Sequence, residues 1–405
     1  MERFERLEPL ERLDLDTGGK MLYRGLRDWL AKVDKMGELR TLEGIDWNLE
    51  MGAVVDVLYR EHPPYPPALI FDKIKDHAQG FRALFGHFAS PKRIALTLGI
   101  TQEFDHVLEF VRVYHEKIKH CVPIPREEVK SGEVHENVQE RDEVNLLKFP
   151  APFLHEKDGG RYIGTGHLVI TKDPDSNWIN VGTYRMMLHD HNTAGIYIGP
   201  GKHASIHRQK YFAKGAPVPI NVVLGSEPLM WFASCCPVAA GLSEFDFAGG
   251  LAGEALQVVT SDITGLPYPA DAEIVLEGEM RPGEFKGGTF WRVARLLCQR
   301  KTAGALYARQ ARALSQRSHS LGREPGAPTA HPHSAAGYYA LRACLGRARK
   351  SRRPGCSRRM VARAGTTAIH GGRYQTTISR SRQASWSPGC AVLFRRLSKP
   401  LHHCR

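Results

Sequence analysis

The stretch HLVITKDPDSNWINVGTYRMMLHDHNTAGIYIGPGKH (residues 167–203) alternates apolar runs with short polar turns. HLVITKD, WINVGTYRMMLHD and IYIGPG carry the β-branched and aromatic residues of strands, and PDSN and HNTAG are turn formers between them. VPINVVLGS (218–226) and AEIVLEGEM (272–280) add further β-rich runs, so residues 121–285 read as a mainly β domain, sheet or barrel. Upstream, the period changes. Leu26, Trp29, Leu30 and Val33 fall at i, i+3, i+4 and i+7, one apolar helix face, with Gly37 as its stop. ELRTLEG reads as a strand, Met51 to Tyr59 as a helix, and PPALIFDKI as a buried strand. Ser90 and Pro91 are an N-cap and a first helical residue, and Phe104, Val107, Leu108 and Val111 mark a further helix. Residues 1–120 therefore form an N-terminal α/β domain, and the chain as a whole is α+β.

Charge divides the chain differently. Lys286 to Arg405 hold 25 of the 56 basic residues and one of the 43 acidic ones, which leaves residues 1–285 at about −11 and the tail at +24. Three cysteines before residue 286 (Cys121, Cys235, Cys236), without metal-type spacing, fit a reducing compartment. MERFERLEPLERLDLD has no apolar signal core, and no run approaches the roughly 20 apolar residues of a membrane span. A cytoplasmic protein without a membrane or specific nucleic-acid partner is the expectation.

Several small motifs carry little. Gly164-Thr165-Gly166 precedes a strand rather than a helix, so it forms no dinucleotide loop. His203 and His207 stand four apart but lack the glutamate of a zinc helix, and read as surface histidines. His189-Asp190-His191 is no better. Adjacent Cys235 and Cys236 read as small buried residues. More telling is polar chemistry in glycine-lined strands. NVGTYR (180–185) sets Asn180 and Arg185 about Gly182, which allows close approach, PGKH (200–203) presents Lys202 and His203, and Glu244 precedes a run of small residues suited to a close backbone–ligand contact. An amide oxygen, an imidazole and a carboxylate suit Mn²⁺ or Mg²⁺ beside a phosphate; structural hydrogen bonding is the alternative.

FPAPFLHEKDGGRYIGTGHLVITKDPDSNWINVGTYRMM, GPGKH, LSEFDFAGG and LPYPADAEIVLEGEMRPGEF together resemble the UbiD family of reversible carboxy-lyases, in its hydroxyaromatic and phenolic acid branch. The resemblance runs from about residue 22 to 285. It implies an N-terminal α/β domain, a flavin-reductase-like split β-barrel and a C-terminal domain that dimerises. It implies prenylated FMN, supplied by a flavin prenyltransferase, with its phosphate held through Mn²⁺ and a K⁺ nearby. Asn180, His203 and Glu244 match the metal ligands; Asn180, Val181, Gly182, Thr183, Tyr184 and Arg185, with Lys202, His203 and Glu244, match the cofactor-binding positions. Arg185 matches the arginine of a Glu–Arg–Glu catalytic network. The implied substrate is a small aromatic or unsaturated carboxylic acid, and the implied assembly a homo-oligomer.

The network's two glutamates belong to a Glu-Gly-Pro-Phe-Gly-Glu motif that should follow GEF, but the chain reads Gly287-Gly288-Thr289-Phe290-Trp291-Arg292. Codons exist for Gly287 to Arg300 that, read one nucleotide later, encode Glu-Gly-Pro-Phe-Gly-Glu-Trp-Pro-Gly-Tyr-Tyr-Ala-Ser-Gly. The arginine, alanine and serine richness of residues 286–405 is what an out-of-frame reading of GC-rich DNA yields. An out-of-frame, largely disordered basic tail replacing the family's C-terminal domain is therefore expected, ahead of a basic nucleic-acid-binding arm.

Overall fold

The computed structural model describes residues 21–62, 64–164, 166–284, 289–298 and 305–307. The N-terminal part contains α1 (Gly25–Lys35), β1 (Leu39–Glu43), α2 (Glu50–Glu61), β2 (Ala68–Asp72), β3 (Arg82–Phe85), α3 (Pro91–Thr97) and α4 (Val107–Lys119). Next come β4 (Glu127–Glu128), β5 (Asn137–Glu140), β6 (Tyr162–Gly164), β7 (Leu168–Lys172), β8 (Ile179–Gly182), β9 (Met186–Leu188), β10 (Thr193–Ile196), α5 (His203–Ala213) and β11 (Val218–Leu224). The chain continues through α6 (Pro228–Ser234), α7 (Glu244–Ala252), β12 (Gln257–Thr260), β13 (Pro267–Pro269), β14 (Ile274–Met280), β15 (Thr289–Cys298) and β16 (Ala305–Tyr307).

The helix faces follow the sequence periodicity. Leu26, Trp29, Leu30 and Val33 of α1 are buried, and Gly37 turns the chain away at φ +70°. Ser90 caps α3 by accepting from the Arg93 N–H at 3.3 Å. On α4 the buried face is rotated from expectation: Leu108 is exposed, while Phe110, Val111 and Val113 are inside. Phe110 packs edge-on to Phe104 and beside Tyr114, and this aromatic cluster decides which face turns in.

β1, β2, β3 and β16 form one four-stranded sheet, with β1 parallel to β2. A nine-stranded sheet runs β6-β9-β10-β15-β14-β11-β7-β8, with β5 pairing β15. Its strands alternate between two cores. Leu168, Ile170, Ile179, Val181, Val223 and Val275 join an apolar cluster shared with α1, α6 and α7. Val169, Val222, Leu224, Ile274 and Leu276 face the opposite side, toward Phe149, Met186 and Ala204. One core thus continues across the expected division at residues 120 and 121.

Two features differ from the sequence reading. First, the sheet does not stop at residue 285: Thr289–Cys298 lies between β10 and β14. A strand needs backbone partners and local neutralisation more than long periodicity, and here Leu296 is buried while Arg295 pairs with buried Glu277 and with Asp262. The tail expected from 286 otherwise lies outside the described residues, apart from β16. Second, the small residues after Glu244 do not open a ligand approach. They lie in α7, where a Cβ on Gly249 would sit 2.6 Å from the Ile124 carbonyl oxygen, and one on Gly250 2.3 Å from that of Val122. They let α7 pack on the 121–126 segment.

Candidate cofactor and active site

Among the described residues β8 is an edge of the nine-stranded sheet, paired only with β7. An edge strand leaves backbone donors facing outward, and two helix starts close over this one. α7 begins at Glu244, capped by Ser243, whose hydroxyl accepts from Phe245 N–H. The buried Glu244 carboxylate accepts from the Val181 N–H at 2.6 Å. α5 begins at His203, whose Nδ1 lies 3.2 Å from Asn180 Oδ1. His203 and Glu244 therefore meet β8 at its successive residues Asn180 and Val181. The Asn180 side chain is buried, and the Tyr184 hydroxyl is its neighbour.

Burial sets the electrostatics. It pushes the Glu244 carboxyl up to about 7, outweighing the Val181 N–H that favours the ionised form. Burial, and then the Lys202 charge, lower the His203 pKa. Burial pushes the Tyr184 hydroxyl up to about 12. The Tyr184 ring lies against Gly182, where a Cβ would come 2.7 Å from the hydroxyl, so the close approach that glycine permits is made by the chain's own tyrosine. Partial positive charge at the two helix starts favours an anion there.

The other sequence candidates are less gathered. Lys202 stands as the α5 N-cap, and Thr183 Oγ1 lies 3.9 Å from Cys235 Sγ. Arg185 is exposed, with its guanidinium 5.3 Å from the centre of the Tyr197 ring. Among the described residues it pairs with no carboxylate. His207 corrects the surface reading: it is fully buried, its Nδ1 3.0 Å from Thr171 Oγ1, and burial lowers its pKa to about 4. Its ring and that of His203 both edge onto Trp178, at 5.0 and 4.6 Å between centroids. Trp178 was not among the candidates. Its Nε1 donates to the Leu242 carbonyl at 3.0 Å, tying β8 to the loop before α7. Its place two residues before Asn180, on the same strand face, was the available signal. Among the described residues no three His, Cys, Asp or Glu side chains cluster to hold a metal, so any site here needs the Asn180 amide. No helix of the described residues is long and apolar enough to cross a membrane.

This architecture has relatives among carboxy-lyases. Residues 30–111 match the 3-octaprenyl-4-hydroxybenzoate carboxy-lyase N-terminal domain, and residues 127–294 match the Rift-related domain of the same enzymes. Together these matches span more than half of the chain, which belongs to the UbiD family. Pyrrole-2-carboxylic acid decarboxylase of Pseudomonas aeruginosa is 35% identical over 265 residues, covering 64% of this chain and 52% of the relative. Phenolic acid decarboxylase of Sedimentibacter hydroxybenzoicus is 30% identical over 297 residues, 69% of this chain and 60% of the relative. The chain thus spans little more than half the length of these relatives. Vanillic acid decarboxylase of Sedimentibacter hydroxybenzoicus, in its closed form, superposes with a TM-score of 0.63 at 26% identity, covering 71% of this chain and 64% of that one. The UbiD-class enzyme HmfF of Pelotomaculum thermopropionicum in complex with FMN gives 0.61 at 25%, over 70% and 65%.

Proposed function

We propose that the chain is built as a non-oxidative, reversible decarboxylase of a hydroxyaromatic or other unsaturated carboxylic acid, dependent on prenylated FMN and Mn²⁺, and that as written it fails at the chemical step. The observation that carries the reading is the convergence of Asn180, His203 and Glu244 on one edge strand at two helix starts. An amide oxygen, an imidazole nitrogen and a buried carboxylate fit a divalent cation of the Mn²⁺ kind, and the carboxyl that burial holds partly protonated would ionise beside it. On this reading the nine-stranded sheet corresponds to a split β-barrel, and Lys202 with the α5 start holds the cofactor's phosphate. The prenylated flavin, made by a separate prenyltransferase, supplies the electron sink. Arg185 binds the substrate carboxylate with its planar fork.

The missing element is an acid. Carbon left after loss of carbon dioxide must be protonated, and residues 286–300 contain no Asp or Glu. A positioned proton donor contributes about 10²- to 10⁴-fold in rate. A second reading, a flavin-binding protein without turnover, is favoured by Arg185 having no carboxylate partner among the described residues. Two proteins separate the outcomes: the 405-residue chain, and one in which Glu-Gly-Pro-Phe-Gly-Glu and its continuation follow Lys286. Supplied with prenylated FMN and Mn²⁺, the second should release carbon dioxide from phenolic acids and the first should not. Equal turnover by both would remove the assignment of the missing acid; failure of both to bind FMN or Mn²⁺ would remove the site.

A further inference from the structure

Arg185 and Tyr197 stand opposite each other at the open end of the β9–β10 hairpin. Met186 pairs with Ile196, so one step further out sets Arg185 across from Tyr197, and the Tyr197 N–H donates to the Arg185 carbonyl at 3.2 Å. Cross-strand partners of this kind project side chains to the same face. The guanidinium carbon lies 5.3 Å from the ring centroid, inside the range of a cation–π contact. Among the described residues this ring is the only side chain that Arg185 engages. Tyr197 is 50% exposed, although its flanking residues Ile196 and Ile198 are buried. A large aromatic side chain left half in water beside an unpaired arginine does little for the core. It gives the arginine a platform.

We propose that Tyr197 is a positioning residue. Its ring holds the Arg185 guanidinium at the hairpin mouth, so that the fork is presented to a planar carboxylate on an aromatic ring. This rests on the reading of Arg185 as the carboxylate-binding group. The ring face matters and the hydroxyl does not, so Tyr197→Phe should keep the effect and Tyr197→Leu should lose it.

The test compares an acid with its neutral isostere. 4-Hydroxybenzoate and 4-hydroxybenzamide are titrated into the full 405-residue chain, with and without FMN, by calorimetry. Wild type and Tyr197→Phe should prefer the acid to the amide. Tyr197→Leu should lose about two- to fivefold of that preference, the strength of an exposed cation–π contact, with amide affinity unchanged. Arg185→Gln should abolish the preference. An undiminished preference in Tyr197→Leu overturns the proposal, as does an equal loss in Tyr197→Phe. So does a wild type that binds acid and amide alike, or does not bind the acid. FMN fluorescence quenching, read in parallel, judges the cofactor site separately: a chain that binds no FMN counts against the functional reading, while the acid-to-amide ratio still decides the role of Tyr197.

Discussion

Gly250→Ala sets two effects of opposite sign against each other. Inside a helix, alanine is favoured over glycine by about 1 kcal/mol. Position 250, however, faces the 121–126 segment. The new Cβ would lie 2.3 Å from the Val122 carbonyl oxygen and 2.8 Å from Cys121 Sγ, well inside the roughly 3.5 Å of ordinary contact. Backbone cannot swing aside as a flexible side chain would. The segment is pinned by the Ile124 N–H donating to the Asp246 carbonyl at 2.9 Å and the Arg126 N–H donating to Asp246 Oδ1 at 3.3 Å. Overpacking of this kind costs about 1–3 kcal/mol. Because the obstructing atoms are main chain, the upper half of that range applies, and the net is a loss of about 1–2 kcal/mol. For a folded unit of this size, that lowers the melting temperature by roughly 2–8 °C. The displaced helix also begins at Glu244, so if the proposed cation site is right, Mn²⁺ affinity, followed by electron paramagnetic resonance, should fall with it. Thermal melts of wild type and variant decide the matter. An unchanged or raised melting temperature would mean that helix propensity wins and that the packing of α7 is loose.

Two further outcomes follow from buried charge. Arg93 is fully buried, donating to Glu38 Oε2 at 2.6 Å and to the carbonyls of Pro66, Gly86 and His87 at 2.7, 3.0 and 3.1 Å; Arg93→Met should cost about 3–5 kcal/mol in urea unfolding, since it strands three carbonyls and leaves Glu38 with Ser90 as its remaining donor, and a loss below about 1 kcal/mol would show that water replaces the guanidinium. Glu227 is buried, with its pKa raised to about 8 by burial and then by Asp271, so the folded state keeps a proton that the unfolded state releases near pH 4.3. Stability should therefore fall as pH rises from about 4.3 to 8, by up to about 1.4 kcal/mol per unit from this group, and Glu227→Gln should flatten the decline; parallel pH profiles for the two proteins would refute it.

What the sequence made legible was local. The 3.6-residue spacing of Leu26, Trp29, Leu30 and Val33 places the α1 face, and the Ser90-Pro91 pair places the start of α3. Two-residue alternation in residues 168–182 divides the strands between two cores. What it hid depends on a partner distant in the chain. Leu108 and Phe110 are equally apolar, and only the aromatic neighbours of α4 decide which is inside. His207 looks like a surface residue until Thr171 and Trp178 are brought against it. Gly182 and Gly249 announce close approach without naming what approaches; here it is Tyr184 and the Ile124 carbonyl. The strand at 289–298 was hidden for another reason: backbone pairing with β10 and β14 carries it, and its arginine reads as tail charge until it meets Glu277.

The candidate site and the sheet edge pose one physical problem. A buried edge strand must satisfy outward-facing N–H groups, and at β8 the Val181 N–H is satisfied by a carboxylate rather than by another strand. That choice brings a negative charge into the interior, which burial resists by raising the carboxyl's pKa to about 7. A neutral Gln could accept the same hydrogen bond without the penalty. Glutamate is the costlier solution for closing an edge, and the better one if a cation completes the site. The Asn180 amide, buried with its oxygen turned to His203, has the same character. Each of these side chains is poorly explained by packing alone. Taken together, an ionisable carboxyl, an amide oxygen and an imidazole of lowered pKa beside two helix starts have the composition that the proposed cation site calls for, and a bound cation would offset their structural cost.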